Sequence, residues 1–166
     1  TPDVSFEKAS WKPVVKNKHE IINLEWNEAT LSFRESKGDR RKMDLIIRVY
    51  DNGVAFRYQL YGGRKIGNRQ ITRELTGFSL PKSAAAWVAE YNRPYTSQQE
   101  GEFVTKTIEN ISPTTVAGLP FLVEVNKTNY IAITEANIDN YPGFYIGGAV
   151  ENENGQKKKN NLKSCM

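Results

Sequence analysis

The sequence predicts an all-β fold, an antiparallel β-sandwich, and three observations carry that prediction. Apolar and polar residues alternate with a period of two in several short segments, which is the pattern of strands with one buried face. Turn-forming residues separate these segments at short intervals, as in sandwiches and large antiparallel sheets. Only residues 83 to 92 have an alanine-rich composition that could favour a helix.

The clearest element is a β-hairpin within residues 43 to 60. Asn52-Gly53 lies between its two alternating segments and suits the positive φ angles of a two-residue type I′ turn, with Asp51 assisting. The sequence therefore predicts that Gly53 does not tolerate valine, because a β-branched residue resists positive φ. The apolar row predicted to be buried on one face consists of Met43, Leu45, Ile47, Val54, Phe56 and Leu60.

The remaining strands follow the same pattern. Ile22, Leu24 and Trp26 alternate with polar residues, and the apolar row resumes at residues 31 and 33 after a break in the alternation. Further strands are predicted in the opening stretch and in residues 102 to 111 and 120 to 126. We interpret residues 83 to 92 as strand or loop, because aromatic residues and flanking prolines fit an extended segment.

Composition and charge limit the functional classes. The net charge is +4, but basic and acidic residues alternate, and the basic cluster at residues 155 to 163 has no interleaved aromatic residues, which argues against nucleic-acid binding. No apolar run approaches the roughly 20 residues of a membrane span. The start lacks a signal-peptide pattern, although a leader could have been removed. We predict one domain over residues 1 to 150 and a polar, disordered or frayed tail over residues 151 to 166.

The usual catalytic and metal motifs are absent from the sequence. Cys165 is the only cysteine and His19 the only histidine, so an internal disulfide and a cysteine- or histidine-rich metal site are excluded. There is no phosphate-binding glycine loop, nucleophile elbow or metalloprotease pair. The sequence alone therefore predicts no catalytic residue.

Glu135 interrupts an apolar strand. Alternation places Glu135 and Asn137 on the same face as Ile131 and Ile133, so a carboxylate continues an apolar row. The residues themselves allow three interpretations: an ion pair with a cation such as Arg48 or Arg57, the surfacing of the strand, or a functional acid.

Five segments, in order, resemble the N-terminal domain of glycoside hydrolase family 97, a family of bacterial α-glucosidases and α-galactosidases. They are WKPVVKNKHEIINLEWNE, LIIRVYDNGVAFRYQL, ITRELTGFSLP, LPFLVEV and YIAITEANIDNYPGFYI. The resemblance covers residues 11 to 145. Family members combine an N-terminal β-super-sandwich, a (β/α)8 barrel with the catalytic carboxylates and a C-terminal β domain. The resemblance implies that this chain is part of the first, clipped at both ends and inactive without the barrel.

The resemblance also implies a role for Glu135. Family members depend on calcium, and a glutamate of the N-terminal domain joins barrel glutamates around the ion; Glu135 occupies the matching position. Asn137 could contribute an amide oxygen or contact the sugar. The implied partners are the barrel and an α-linked oligosaccharide, and the implied location is periplasmic or secreted. The residues that would distinguish α-glucosides from α-galactosides belong to the barrel.

A different class of function stays open. The chain could be a free-standing β-sandwich that binds carbohydrate or protein without catalysis, and open sheet edges could pair with a second copy. Arg57 could bridge to the barrel or join an interlayer ion pair. Aromatic side chains could stack on sugars or pack in the core. The aromatic candidates are Trp11, Trp26 and Trp87.

Overall fold

A computed structural model describes residues 2–16, 18–61, 71, 74–94, 100–138 and 141–148, and the backbone of 161–165. The chain divides into two compact units, Thr1–Arg69 and Gln70–Met166. None of the described segments is a helix long and apolar enough to cross a membrane.

The first unit is a four-stranded antiparallel sheet in which each strand pairs with the next along the chain. This order follows from the short connections between alternating segments. Its strands are β1 (Asp3–Trp11), β2 (Ile22–Arg34), β3 (Lys42–Tyr50) and β4 (Gly53–Leu60).

The predicted hairpin is confirmed, but its turn differs from the prediction. Tyr50 pairs with Gly53, so the two-residue loop is Asp51-Asn52 and Gly53 opens β4. Neither loop residue has a positive φ, and Gly53 does not either, so the type I′ turn at Asn52-Gly53 is wrong. A Cβ built at Gly53 meets nothing within 4 Å. The reason for predicting that valine is not tolerated there, a positive φ, therefore does not hold, and the effect of valine itself stays a prediction.

The predicted buried row shares one face of the hairpin but is not buried. Its β3 members are half-buried, whereas on β4 Val54 is 65% and Leu60 57% exposed. Within the described part of this sheet the buried residue is Ile46, which projects from the other face opposite Arg57. The physical reason is that alternation fixes which side chains share a face, while burial requires a second layer over that face.

Strand β2 is continuous over 13 residues, so the break in the apolar alternation after Trp26 does not interrupt the strand. Trp26 pairs with Glu7, and Leu31 pairs with Leu45, without interruption of the ladder between them. Because Leu31 lies five positions after Trp26, an odd number, the two side chains point to opposite faces of the same strand. The apolar row changes face there, and the strand does not end.

An ion pair and two aromatic rings occupy the face that carries Ile46. The Arg48 Nε donates to the Glu28 carboxylate at 2.6 Å, and the guanidinium lies 4.9 Å from the centre of the Trp26 ring. Trp26 also packs against Tyr50, with ring centres 5.7 Å apart. Arg48 therefore pairs with Glu28 within its own sheet, which does not support the interpretation of Arg48 as a partner of Glu135.

Glu28 gives this sheet an acid-sensitive contribution to stability. The hydrogen bond from Arg48 holds the pKa of Glu28 below its ordinary value of 4.5. A carboxyl whose pKa is lowered in the folded state makes its full contribution to folding stability above its unfolded-state pKa. That contribution is lost as pH falls through the folded-state pKa. Glu28→Gln should therefore remove up to about 1 kcal/mol of stability at pH 7 but less near pH 3. Urea denaturation at each pH measures this, and an equal loss at both pH values would contradict it.

The second unit is an eight-stranded antiparallel sheet with the order β10-β9-β6-β8-β11-β12-β5, in which β7 also pairs with β6. The segment at residues 83 to 92 contains strand β6, which confirms its interpretation as extended. The strands are β5 (Gly77–Ser79), β6 (Ala85–Tyr91), β7 (Phe103–Thr107), β8 (Val116–Ala117), β9 (Phe121–Asn126), β10 (Asn129–Ile133), β11 (Tyr145–Gly147) and β12 (Asn161–Cys165).

Strand β12 corrects the prediction of a disordered or frayed tail. Asn161–Cys165 pairs with both β5 and β11. Backbone hydrogen bonds to two neighbours can hold a polar strand, and composition does not reveal them. Residues 149 to 160 lie outside the described residues, so the domain boundary at residue 150 stays a prediction.

The core of the second unit forms where β6 and β9 pair. Val88, Phe121 and Val123 are fully buried there, together with Ile146 from β11. Strand alternation brings these side chains to one face, and their burial supplies the hydrophobic stabilisation that the first unit's open face lacks. On the opposite face Trp87 packs against Tyr130, with ring centres 6.2 Å apart. The architecture confirms the all-β, antiparallel sandwich class.

A candidate metal-ligand site at the end of β10

Glu135 lies two residues beyond β10, on the segment that leads towards β11. Strand β10 is held along β9, and its last residue, Ile133, is buried in the core. Glu135 itself is half-buried. The sheet therefore fixes the chain just before the carboxylate, which restricts where that carboxylate can lie.

The Glu135 carboxylate is tied to the far end of its own loop. Its Oε2 accepts a hydrogen bond from the backbone N–H of Phe144 at 2.9 Å. Phe144 packs against the core and directly precedes β11. Among the described residues nothing donates to the other oxygen, Oε1. One oxygen thus fixes the side chain while the other can bind a cation or a polar ligand.

A cleft of about 260 Å³ lies beside this carboxylate. Its volume lies just below the roughly 300 to 1,000 Å³ of pockets that bind drug-sized ligands. Its lining includes Leu119, Glu135, Ile138, Gly143, Phe144 and Tyr145.

A second contact holds the same loop to the segment that precedes β5. The Tyr141 hydroxyl donates to Glu74 Oε2 at 2.9 Å, and the Thr76 hydroxyl donates to the other oxygen of Glu74. Thr76 immediately precedes β5. Sequence reasoning missed Glu74, because 67 residues separate it from Tyr141 and no spacing rule links them.

The structure separates Asn137 from the predicted row. Strand β10 ends at Ile133, and Asn137 is exposed with a left-handed φ of 55°. Asparagine is among the residues that tolerate this conformation. Because alternation requires extended backbone, the reason for placing Asn137 on the face of Glu135 does not hold. Its proposed contact with calcium or sugar stays a prediction.

The described residues do not complete a metal site. Within them no cluster of three or more histidine, cysteine, aspartate or glutamate side chains could hold a metal ion. Calcium takes 6 to 8 oxygen ligands. Any calcium bound by Glu135 would therefore need most of its ligands from other groups.

Comparison with known proteins agrees with the resemblance read from the sequence and extends it. The chain is 22% identical over 132 residues to a retaining alpha-galactosidase of Bacteroides thetaiotaomicron, covering 75% of this chain and 19% of that protein. It is 37% identical over 71 residues to a probable retaining alpha-galactosidase of Streptomyces bingchenggensis, covering 43% of this chain and 10% of that protein. The chain thus matches a fifth or less of the length of these curated relatives.

Fold comparison identifies a solved structure with a similar fold. The crystal structure of a beta-arabinopyranosidase superposes on 99% of this chain with a TM-score of 0.72 and 19% identity, and this chain covers 26% of that structure. The TM-score shows a shared fold, and at this low identity the likeness shows the fold alone. The family model described as "Glycosyl-hydrolase 97 N-terminal" matches residues 3–165, a longer span than the segments quoted above. The chain therefore belongs to the family of glycosyl-hydrolase 97 N-terminal domains.

Proposed function

We propose that this chain is the non-catalytic N-terminal domain of a calcium-dependent α-glycosidase, in which it shapes the rim of the active site and Glu135 supplies a calcium ligand to the catalytic barrel. The observation that carries the proposal is the geometry of Glu135. One oxygen accepts the Phe144 N–H at 2.9 Å, which leaves the other oxygen as a ligand for a cation.

The chemistry of this carboxylate fits calcium. Calcium is a hard cation that prefers carboxylate and carbonyl oxygens. Carboxylates that bind metals are commonly held by a second hydrogen bond, which fixes their orientation, and the Phe144 N–H would have that function here. The bound ion would supply positive charge that binds and orients substrate oxygens. The remaining ligands would be the carboxylates of the barrel.

The curated relatives favour an α-galactoside as the substrate of the complete enzyme over an α-glucoside. One is named a retaining alpha-galactosidase and the other a probable retaining alpha-galactosidase. Glycoside hydrolysis uses two carboxylates on either side of the scissile bond, and retention requires them to be about 5 to 5.5 Å apart. In this proposal both belong to the barrel. A periplasmic or secreted location stays a prediction.

The isolated chain should neither hydrolyse glycosides nor hold calcium tightly. Incubation with nitrophenyl α-galactoside and α-glucoside in the presence of calcium should give no turnover above buffer, and calorimetry should show dissociation constants of about 1 mM or weaker. The complete enzyme is the positive control. Turnover that persists at constant specific activity through purification would contradict the non-catalytic assignment.

The second candidate is a free-standing protein-binding sandwich. It is favoured by the exposed apolar face of the first unit, where Phe6, Val54 and Leu60 are each more than half exposed. Strand β4 is also an edge of that sheet and can accept a further strand. Light scattering of the purified chain tests whether this face binds a second copy. Self-association that increases with concentration would support a role for this face between copies.

A further inference from the structure

The contact between Tyr141 and Glu74 lies three residues from the peptide group that holds Glu135. The Tyr141 hydroxyl oxygen lies 2.9 Å from Glu74 Oε2. Glu74 is half-buried, and Tyr141 is 38% exposed. A hydrogen bond with an ionised acceptor is stronger than one between neutral groups. Glu74 also accepts a hydrogen bond from Thr76, which immediately precedes β5, so a local contact next to the strand holds the acceptor.

The chain between the two contacts can transmit this restraint. Pro142 has a fixed φ and disfavours helical conformations of Tyr141. Phe144 then donates its N–H to Glu135 and packs against the core. Holding the Tyr141 ring in place therefore limits the positions that the Phe144 N–H can adopt.

We propose that Glu74 and Tyr141 are positioning residues for Glu135, because their hydrogen bond places the Phe144 N–H that orients the carboxylate. The pair acts on the peptide, and neither residue touches the ion. This inference rests on the proposed calcium role only for its functional consequence, since the effect on the Phe144 N–H is a property of the fold.

Tyr141→Phe tests the structural step, because it removes one hydroxyl and keeps the ring. In the full-length protein, peptides that contain the Phe144 amide should exchange hydrogen about fivefold faster than in the parent. Tyr130→Phe is the matched control. It makes the same chemical change at an exposed side chain on β10, away from the Glu135–Phe144 contact. Equal exchange in the parent and Tyr141→Phe would overturn the inference.

Calcium titration of the complete enzyme tests the functional step. Tyr141→Phe should raise the calcium concentration for half-maximal activity about three- to tenfold and leave activity at saturating calcium nearly unchanged. In the Glu135→Gln background the same change should have little further effect, because the pair acts through Glu135. An equal shift in both backgrounds would overturn the inference. If Glu135→Gln alone leaves the calcium requirement unchanged, the calcium proposal fails instead.

Discussion

Glu135→Gln in the complete enzyme should raise the calcium concentration for half-maximal activity by about tenfold or more. The substitution removes one negative charge from the ligand set, and calcium affinity depends on the number of charged ligands. The glutamine amide oxygen can still accept the Phe144 N–H that holds Glu135 at 2.9 Å, so the loop should keep its conformation. Activity and melting temperature followed through one calcium titration give the measurement.

The control for this variant is Glu109→Gln, the same change at an exposed acid on the short 3-10 helix Ile108–Asn110. It should leave the calcium dependence unaltered. Excess calcium should restore part of the activity of Glu135→Gln, because mass action compensates for weaker binding. A purely structural Glu135 would show earlier melting with the calcium response of the parent. That outcome would remove the residue from the metal site.

The hairpin was predictable because its signal is local. Alternation over residues 43 to 60 and a turn between the two segments are enough to pair β3 with β4. The turn type was not predictable, because the observed loop lies one residue earlier than the predicted one. Asn52-Gly53 and Asp51-Asn52 are both acceptable turn sequences. Burial of the apolar row depends on what lies over the sheet, and a strand pattern contains no information about that layer.

Only part of the candidate site was predictable. The acid at residue 135 was noticed because it breaks an apolar strand, and the family resemblance gave it a chemical role. Its observed partner is the backbone N–H of Phe144, a group that every residue except proline carries and that no side-chain pattern marks. The Glu74 contact joins segments 67 residues apart, so it follows from the sheet order and not from local sequence. Strand β12 was missed for the same reason.

Gly148→Ala should lower the free energy of unfolding by about 3 kcal/mol or more and the melting temperature by about 10 °C. A Cβ on residue 148 would lie 2.0 Å from the carbonyl oxygen of Ile111 and 2.6 Å from the carbonyl carbon of Ser112. Both are backbone atoms, and Gly148 also donates its N–H to the Ser112 oxygen at 2.9 Å. Ile111 is anchored in the core. The clash therefore cannot be relieved by rotating a side chain.

Gly53→Ala is the matched control for this prediction, because a Cβ there meets nothing within 4 Å and the backbone does not have a positive φ. It should change the free energy of unfolding by less than about 0.5 kcal/mol. Urea denaturation of both variants, monitored by tryptophan fluorescence, gives the comparison. If Gly148→Ala unfolds at the urea concentration of the parent, β11 and the Ile111–Ser112 segment cannot lie as close as described. The loop between Glu135 and Phe144 would then lose the fixed end on which the metal-ligand geometry depends, since Phe144 immediately precedes β11.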